Sequence, residues 1–311
     1  MRARPLYLYG ALVAHTLMSA GTYLFAKRAL HEIPALSLGL IRFAGASLIL
    51  ALLLLRLRPR GQRLPPRAAV RKLLVLGFVA VPLNQGFFLY GLQLSTAAHA
   101  ALLYTLTPLF VLLLAQALLG EFPGWRTAVG TALALLGTLF VLLQRGVDLS
   151  GGPLVGDLLL IGAVLAWAVY TTGGRPLVAR HGPLPTTAWS LIGGTLLFLP
   201  IGLIALAAPQ ARAQVAHASS AAWIGVLYLS VVASVVSYLL WYWALAWLPA
   251  AKVAVFTNLQ PLATAVLAHF TLGEPISTRF VAGALVVMTG VVLAQANRPT
   301  PPPTPEAPPD P

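Results

Sequence analysis

Long apolar runs separated by short polar joints dominate the chain. They lie at about 6–26, 34–55, 73–92, 97–118, 125–143, 156–173, 184–206, 222–244, 250–272 and 276–296. Each is near the ~20 residues an α-helix needs to cross a bilayer core. The pattern predicts an all-α membrane protein with ten transmembrane helices. The first run carries His15, Ser19 and Thr22 and has no small-residue cleavage site, so it reads as a span and not a signal peptide. Beyond Arg298 the chain is mostly proline, threonine and acid. Such a composition cannot bury a core, so residues 299–311 are expected to form a disordered tail.

Composition narrows the class further. Of 311 residues, 59% are hydrophobic and 9% are charged, against about 25% charged in a soluble domain. That excludes a soluble enzyme. There is no cysteine, hence no disulfide, no thiol chemistry and no cysteine-based metal site. Neither a cofactor nor a metal is expected.

The net charge of +13 matters through its placement. With a cytoplasmic N-terminus, 14 basic residues fall inside and five outside, and Arg42 is left within a span. Half of the inside set lies in 56–72. The positive-inside rule then places both termini in the cytoplasm of a multi-pass cell-membrane protein. The basic loop reads as a topology anchor on anionic lipid, and no nucleic-acid partner is expected.

The chain also repeats itself. Shifted by 153 residues, 97–145 lies on 250–298 without a gap, with 15 of 49 positions identical. The matches include Pro108 with Pro261, Gly120 with Gly273, Glu121 with Glu274, Arg126 with Arg279, Gly130 with Gly283 and Gly137 with Gly290. A unit of five spans is odd in number, so its second copy enters the membrane from the other side. Two inverted five-helix repeats are therefore expected, 1–148 and 149–298, an architecture of alternating-access carriers.

Four segments carry a family resemblance. Ala101–Glu121 (ALLYTLTPLFVLLLAQALLGE) resembles the fourth span of EamA-type members of the drug/metabolite transporter superfamily, and Ala254–Glu274 (AVFTNLQPLATAVLAHFTLGE) the ninth. Gly156–Tyr170 (GDLLLIGAVLAWAVY) resembles the start of the second repeat, and Tyr90–Ser95 (YGLQLS) the end of the third span. The first span departs from the family in lacking its Trp-Gly pair. The resemblance implies a transporter, not an enzyme, and an exporter of a small polar metabolite; the residues that line the spans (amides, hydroxyls, Trp, Tyr and Arg42, with no acid at depth) make an amino-acid-like compound the expected substrate.

Several residues stand out within the spans. Pro108 and Pro261 each fall near mid-run, where a missing N–H and a ring clash act on the carbonyls of Tyr104 and Thr257. They are the expected hinges. Polar side chains at depth face the bundle interior. His15, Ser19 and Thr22 form one stripe, and Ser230, Ser234, Ser237 and Trp241 another. Thr105 with Gln116, and Asn258 with His269, are eleven apart, close to three helical turns. The expected substrate-binding set is His15, Arg42, Asn84, Gln85, Tyr104, Thr105, Trp167, Tyr170, Tyr238, Trp241, Asn258 and Gln260.

No carboxylate lies at mid-span, so an organic dication would enter without a counter-charge. Alternatives are an anion or sugar-phosphate exchanger using Arg42 and Lys252, or a multidrug exporter. An intramembrane enzyme has no catalytic constellation to support it. The expected partners are a small-molecule substrate and the lipid bilayer, with the chain a monomer or weak oligomer.

Overall fold

Every element of secondary structure among the described residues is helical. Hydrocarbon offers a backbone N–H or C=O no partner, and a helix satisfies both within its own segment. The structure, a computed structural model, describes residues 5–57, 67–95, 97–144, 154–264, 266 and 278–296. Helix α1 is Pro5–Leu30, α2 is Ala35–Leu57 and α3 is Arg67–Leu94. Helix α4 has two pieces, Ala97–Tyr104 and Thr107–Leu119. Then follow α5 Trp125–Gln144, α6 Leu154–His181 and α7 Pro183–Ala207. A short connecting helix, Pro209–Ala216, leads to α8, Ser220–Leu245. Helix α9 begins as Ala250–Ala254, and α10 is Thr278–Gln295.

Seven helices among the described residues are long and apolar enough to cross a membrane: α2, α3, α4 (from Ala100), α6, α7, α8 and α10. Each of the other three runs has its own reason for falling outside that set. Helix α1 has 26 residues, but His15, Thr16, Ser19, Thr22 and Lys27 interrupt it. The continuous apolar part of α5 is the shorter Trp125–Phe140. The run that begins with α9 passes beyond the described residues after Thr264.

Both prolines break their helices at the expected place. In α4 the amides of Thr105 and Leu106 reach back only three residues, to Leu102 O and Leu103 O, each at 3.1 Å. In α9 a 3₁₀ turn over Val255–Leu259 precedes the return to α geometry at 260–264. Pro108 and Pro261 sit just after these breaks, as a missing donor and a ring clash one turn back dictate.

Two further irregularities were not evident from the apolar pattern. Helix α3 is π-helical over Val79–Gln85, around Pro82. Helix α8 is π-helical over Tyr228–Val236, and there the Ser234 hydroxyl donates to the carbonyl five residues back, Leu229 O, at 2.8 Å.

Small residues set the closest packing. A Cβ on Gly130 of α5 would come within 2.5 Å of Gly290 O and Ala294 N, and one on Gly290 of α10 within 2.5 Å of Ala134 N. Only glycine lets these backbones touch, and such contact replaces the hydrophobic force that lipid cannot supply. Gly120, at φ +62°, ends α4 in the left-handed conformation, its N–H on Ala115 O.

The helix ends sort into two sets. At one end, the Lys27 ammonium donates to Leu92 O and Ser95 O, both at 2.7 Å, and Ser95 Oγ donates to Asp157 at 2.8 Å. There too Glu32 accepts from Ser219 N (2.6 Å) and Ser219 Oγ (2.7 Å), where Ser219 caps α8. At the other end, Glu121 pairs with Arg175 and accepts from Ala250 N at 3.3 Å. Lys252 and Gln295 are tied to each other's backbone carbonyls at 3.2 and 2.9 Å. Helix α6 reaches both sets, through Asp157 and Arg175, so it traverses the molecule.

Candidate functional site

Arg42 lies about two turns into α2 and is 2% exposed. Its Nε donates to Ser234 Oγ at 2.8 Å and its Nη1 to Gln85 Oε1 at 2.7 Å. The guanidinium carbon lies 4.9 Å from the centre of the Phe43 ring. Both hydrogen-bond acceptors are neutral, and among the described residues no carboxylate pairs with it. A guanidinium has five N–H donors, and two hydrogen bonds leave its charge unbalanced. Removing a cation from water costs several kcal/mol unless it is paired, so an unpaired one at this depth marks function.

The acceptors are fixed in turn. Gln85 Nε2 donates to Asn84 Oδ1 and, at 3.4 Å, to Tyr238 Oη. Asn84 Nδ2 donates to Ala163 O at 2.7 Å and to Tyr104 Oη at 3.2 Å. This one network therefore joins α2, α3, α4, α6 and α8. Asn84 and Gln85 end the π stretch of α3, Ser234 lies in that of α8, and Tyr104 is the last residue before the α4 break. The helices are irregular where they meet the polar centre, and irregular backbone at membrane depth survives only against protein or a polar cavity.

Aromatic rings of α6 and α8 adjoin this network. Trp167 lies 5.2 Å from Tyr238 and 5.5 Å from Trp241, and Tyr170 lies 4.9 Å from Tyr242, centre to centre. Their polar tips are mostly occupied. Trp241 Nε1 donates to Thr171 Oγ1 at 3.2 Å, Tyr242 Oη donates to Tyr170 O at 3.1 Å, and Tyr170 Oη meets Ser190 Oγ at 3.2 Å. The rings are buried and pack on one another; an aromatic face suits an apolar body or a cation.

His15 packs 4.6 Å from Trp241. Its Nδ1 lies 3.0 Å from Ser237 O and 2.8 Å from Ser237 Oγ, and its Nε2 lies 3.3 Å from Ser19 Oγ. A carbonyl only accepts, so Nδ1 carries the proton and Nε2 receives the Ser19 hydroxyl.

The structure thus brings together His15, Arg42, Asn84, Gln85, Tyr104, Trp167, Tyr170, Tyr238 and Trp241. Gln260 joins through Tyr23, whose hydroxyl donates to Gln260 Oε1 at 3.1 Å and whose ring meets Tyr104 edge-on at 6.0 Å. The remaining residues of the expected set, Thr105 and Asn258, and the further candidates Lys252, Gln116 and His269 lie elsewhere, are engaged locally or fall outside the described residues. The Thr105 hydroxyl is taken by Leu102 O at 2.6 Å. Asn258 is fully buried, neither of its side-chain polar atoms has a partner among the described residues, and its carbonyl faces Thr138 of α5 at 3.4 Å. Lys252 is held at the far end by Gln295, away from Arg42. Gln116 is exposed on α4, and His269 lies outside the described residues.

Tyr23, Tyr242, Thr171 and Ser190 were missed by the sequence reading. Two carried a usable signal. Tyr23 is eight residues from His15 and Tyr242 four from Tyr238, each on the same helix face as a residue already singled out.

Comparison with known proteins gives the lineage. A transporter of Archaeoglobus fulgidus with no assigned function is 29% identical over 287 residues, covering 91% of this chain and 95% of that one. A probable terminal-alkyne amino-acid exporter of Streptantibioticus cattleyicolor is 29% identical over 257 residues, 82% of each chain. A solved crystal structure superposes with a TM-score of 0.73 at 18% identity, over 92% of this chain and 95% of the other, which establishes likeness of fold. The EamA-like transporter family matches twice, at residues 7–143 and 154–295. With both stretches matched and long apolar helices throughout, the chain belongs to the EamA-like transporter family, membrane proteins that move small molecules.

Proposed function

We propose that this chain is an alternating-access carrier that exports an amino-acid-like metabolite across the cell membrane. Its ten spans form two inverted repeats, 1–148 and 149–298, and both termini face the cytoplasm. Three observations support the repeat: the family matches twice, α4 and α9 break just before paired prolines, and α3 and α8 both turn π-helical near the polar centre. One of the relatives is named as an amino-acid exporter.

The single observation that carries the substrate reading is Arg42. Its charge is buried, held by neutral groups, and placed where α2 and α3 meet α6 and α8. A substrate carboxylate supplies the missing counter-charge through a charge-assisted hydrogen bond. The substrate ammonium then rests on an aromatic face or an amide oxygen, and its side chain lies among Trp167, Tyr238 and Trp241. A dication meets no carboxylate in this network and faces the Arg42 charge.

The test is competition for uptake of a labelled neutral amino acid into proteoliposomes holding the full chain. Zwitterionic amino acids are expected to compete and their decarboxylated amines to fail. Arg42→Gln should weaken transport about 10- to 100-fold, the worth of a hydrogen bond to a charged group. Inhibition by organic dications with none by amino acids would overturn the reading.

A further inference from the structure

A second site lies away from Arg42. At the Glu121–Arg175 end a crevice of about 330 Å³ opens between α3 and α6. Its rim is cationic: Arg71 and Lys72 come from the first turns of α3, and Arg180 from the last turn of α6. All three are exposed, and among the described residues none has an ion-pair partner. Among the described residues that line the crevice, none is acidic.

Below the rim the walls change character. Val75, Leu76 and Val79 of α3 face Val169, Gly173 and Leu177 of α6. From Lys72 to Val79 is seven residues, about 10 Å of helix, and from Arg180 to Val169 eleven, about 16 Å. The crevice is therefore cationic at the interface and apolar toward the membrane interior. Gly173 keeps it open: a Cβ there would meet Leu76 at 3.5 Å, in ordinary contact.

Charge and shape are both complementary to one kind of molecule. A free anion leaves the apolar depth unused, and a neutral lipid leaves three cations unpaired. We infer that the crevice between α3 and α6 binds an anionic phospholipid, with its phosphate headgroup on Arg71, Lys72 and Arg180 and an acyl chain between Val75–Val79 and Val169–Leu177. Basic pockets between membrane helices on the cytoplasmic side are suited to such headgroups. The site does not depend on the substrate assigned to Arg42.

The experiment follows thermal unfolding of the full-length protein in detergent as phosphatidylglycerol is added. Phosphatidylcholine and inorganic phosphate are the comparison arms. Phosphatidylglycerol is expected to raise the unfolding temperature saturably, and neither comparison to match it. Removing the rim in Arg71→Gln/Lys72→Gln/Arg180→Gln should raise the half-saturating lipid concentration about 100-fold, since each interfacial cation contributes about a factor of 5. Arg56→Gln/Arg67→Gln/Arg126→Gln removes as much charge outside the crevice and should change it little. Gly173→Val fills the apolar part, keeps every cation and should also weaken binding, so it carries the test if the rim variant does not fold. Equal stabilisation by phosphatidylcholine, full effect of phosphate alone, or equal loss in both triple variants would overturn the proposal.

Discussion

At the scale of single residues, the ties at the helix ends respond to acid. Glu32 accepts the Ser219 backbone N–H and its hydroxyl, and chiefly the backbone bond holds its carboxyl below the usual value of 4.5. A depressed carboxylate stabilises the folded state fully above its unfolded pKa and loses that contribution as pH falls through the folded one. Glu32→Ala should therefore lower the unfolding temperature at neutral pH, and the difference from the unaltered protein should shrink steadily below about pH 4. A difference that is flat with pH would show that the bond does not persist in solution. The sequence already showed Arg42, Asn84 and Gln85 as polar groups where lipid forbids them. It was silent on Glu32 and Ser219, because their 187-residue separation leaves no local pattern.

At the scale of elements, the proline breaks were legible and the π stretches were not. Pro108 and Pro261 act on their own turn through a missing donor, so their effect can be read from position alone. The π stretch of α8 contains no proline, and the serine bond five residues back that accompanies it can be seen only once the backbone is traced. Replacing either proline with alanine restores the N–H and should bias the helix toward continuity. A shift of about 1 kcal/mol between inward and outward states changes their ratio roughly fivefold. Pro108→Ala and Pro261→Ala should thus each slow transport about fivefold while membrane expression stays intact. Wild-type rates in both variants would make the breaks simple packing features.

For the whole molecule, the apolar runs indicated a membrane bundle of helices, because they are a one-dimensional pattern. The pairing of α5 with α10 through Gly130 and Gly290 was not readable, since it depends on which faces meet. Orientation is open to direct test. Reporter domains fused after Gln295 and within 145–153 should report opposite sides of the membrane, the first cytoplasmic. A shared side would dismantle the inverted arrangement. The π stretch in α3 ties the shape of the helix to its polar centre. A π turn holds about one residue more than the α turn it replaces, so a return of 79–85 to α geometry at unchanged length would swing Asn84 and Gln85 by ~100° relative to the first part of α3. Arg42 would then lose its amide holder while every side chain in the centre remained. A backbone rearrangement alone, with no change of sequence, can uncouple the buried charge from its amide.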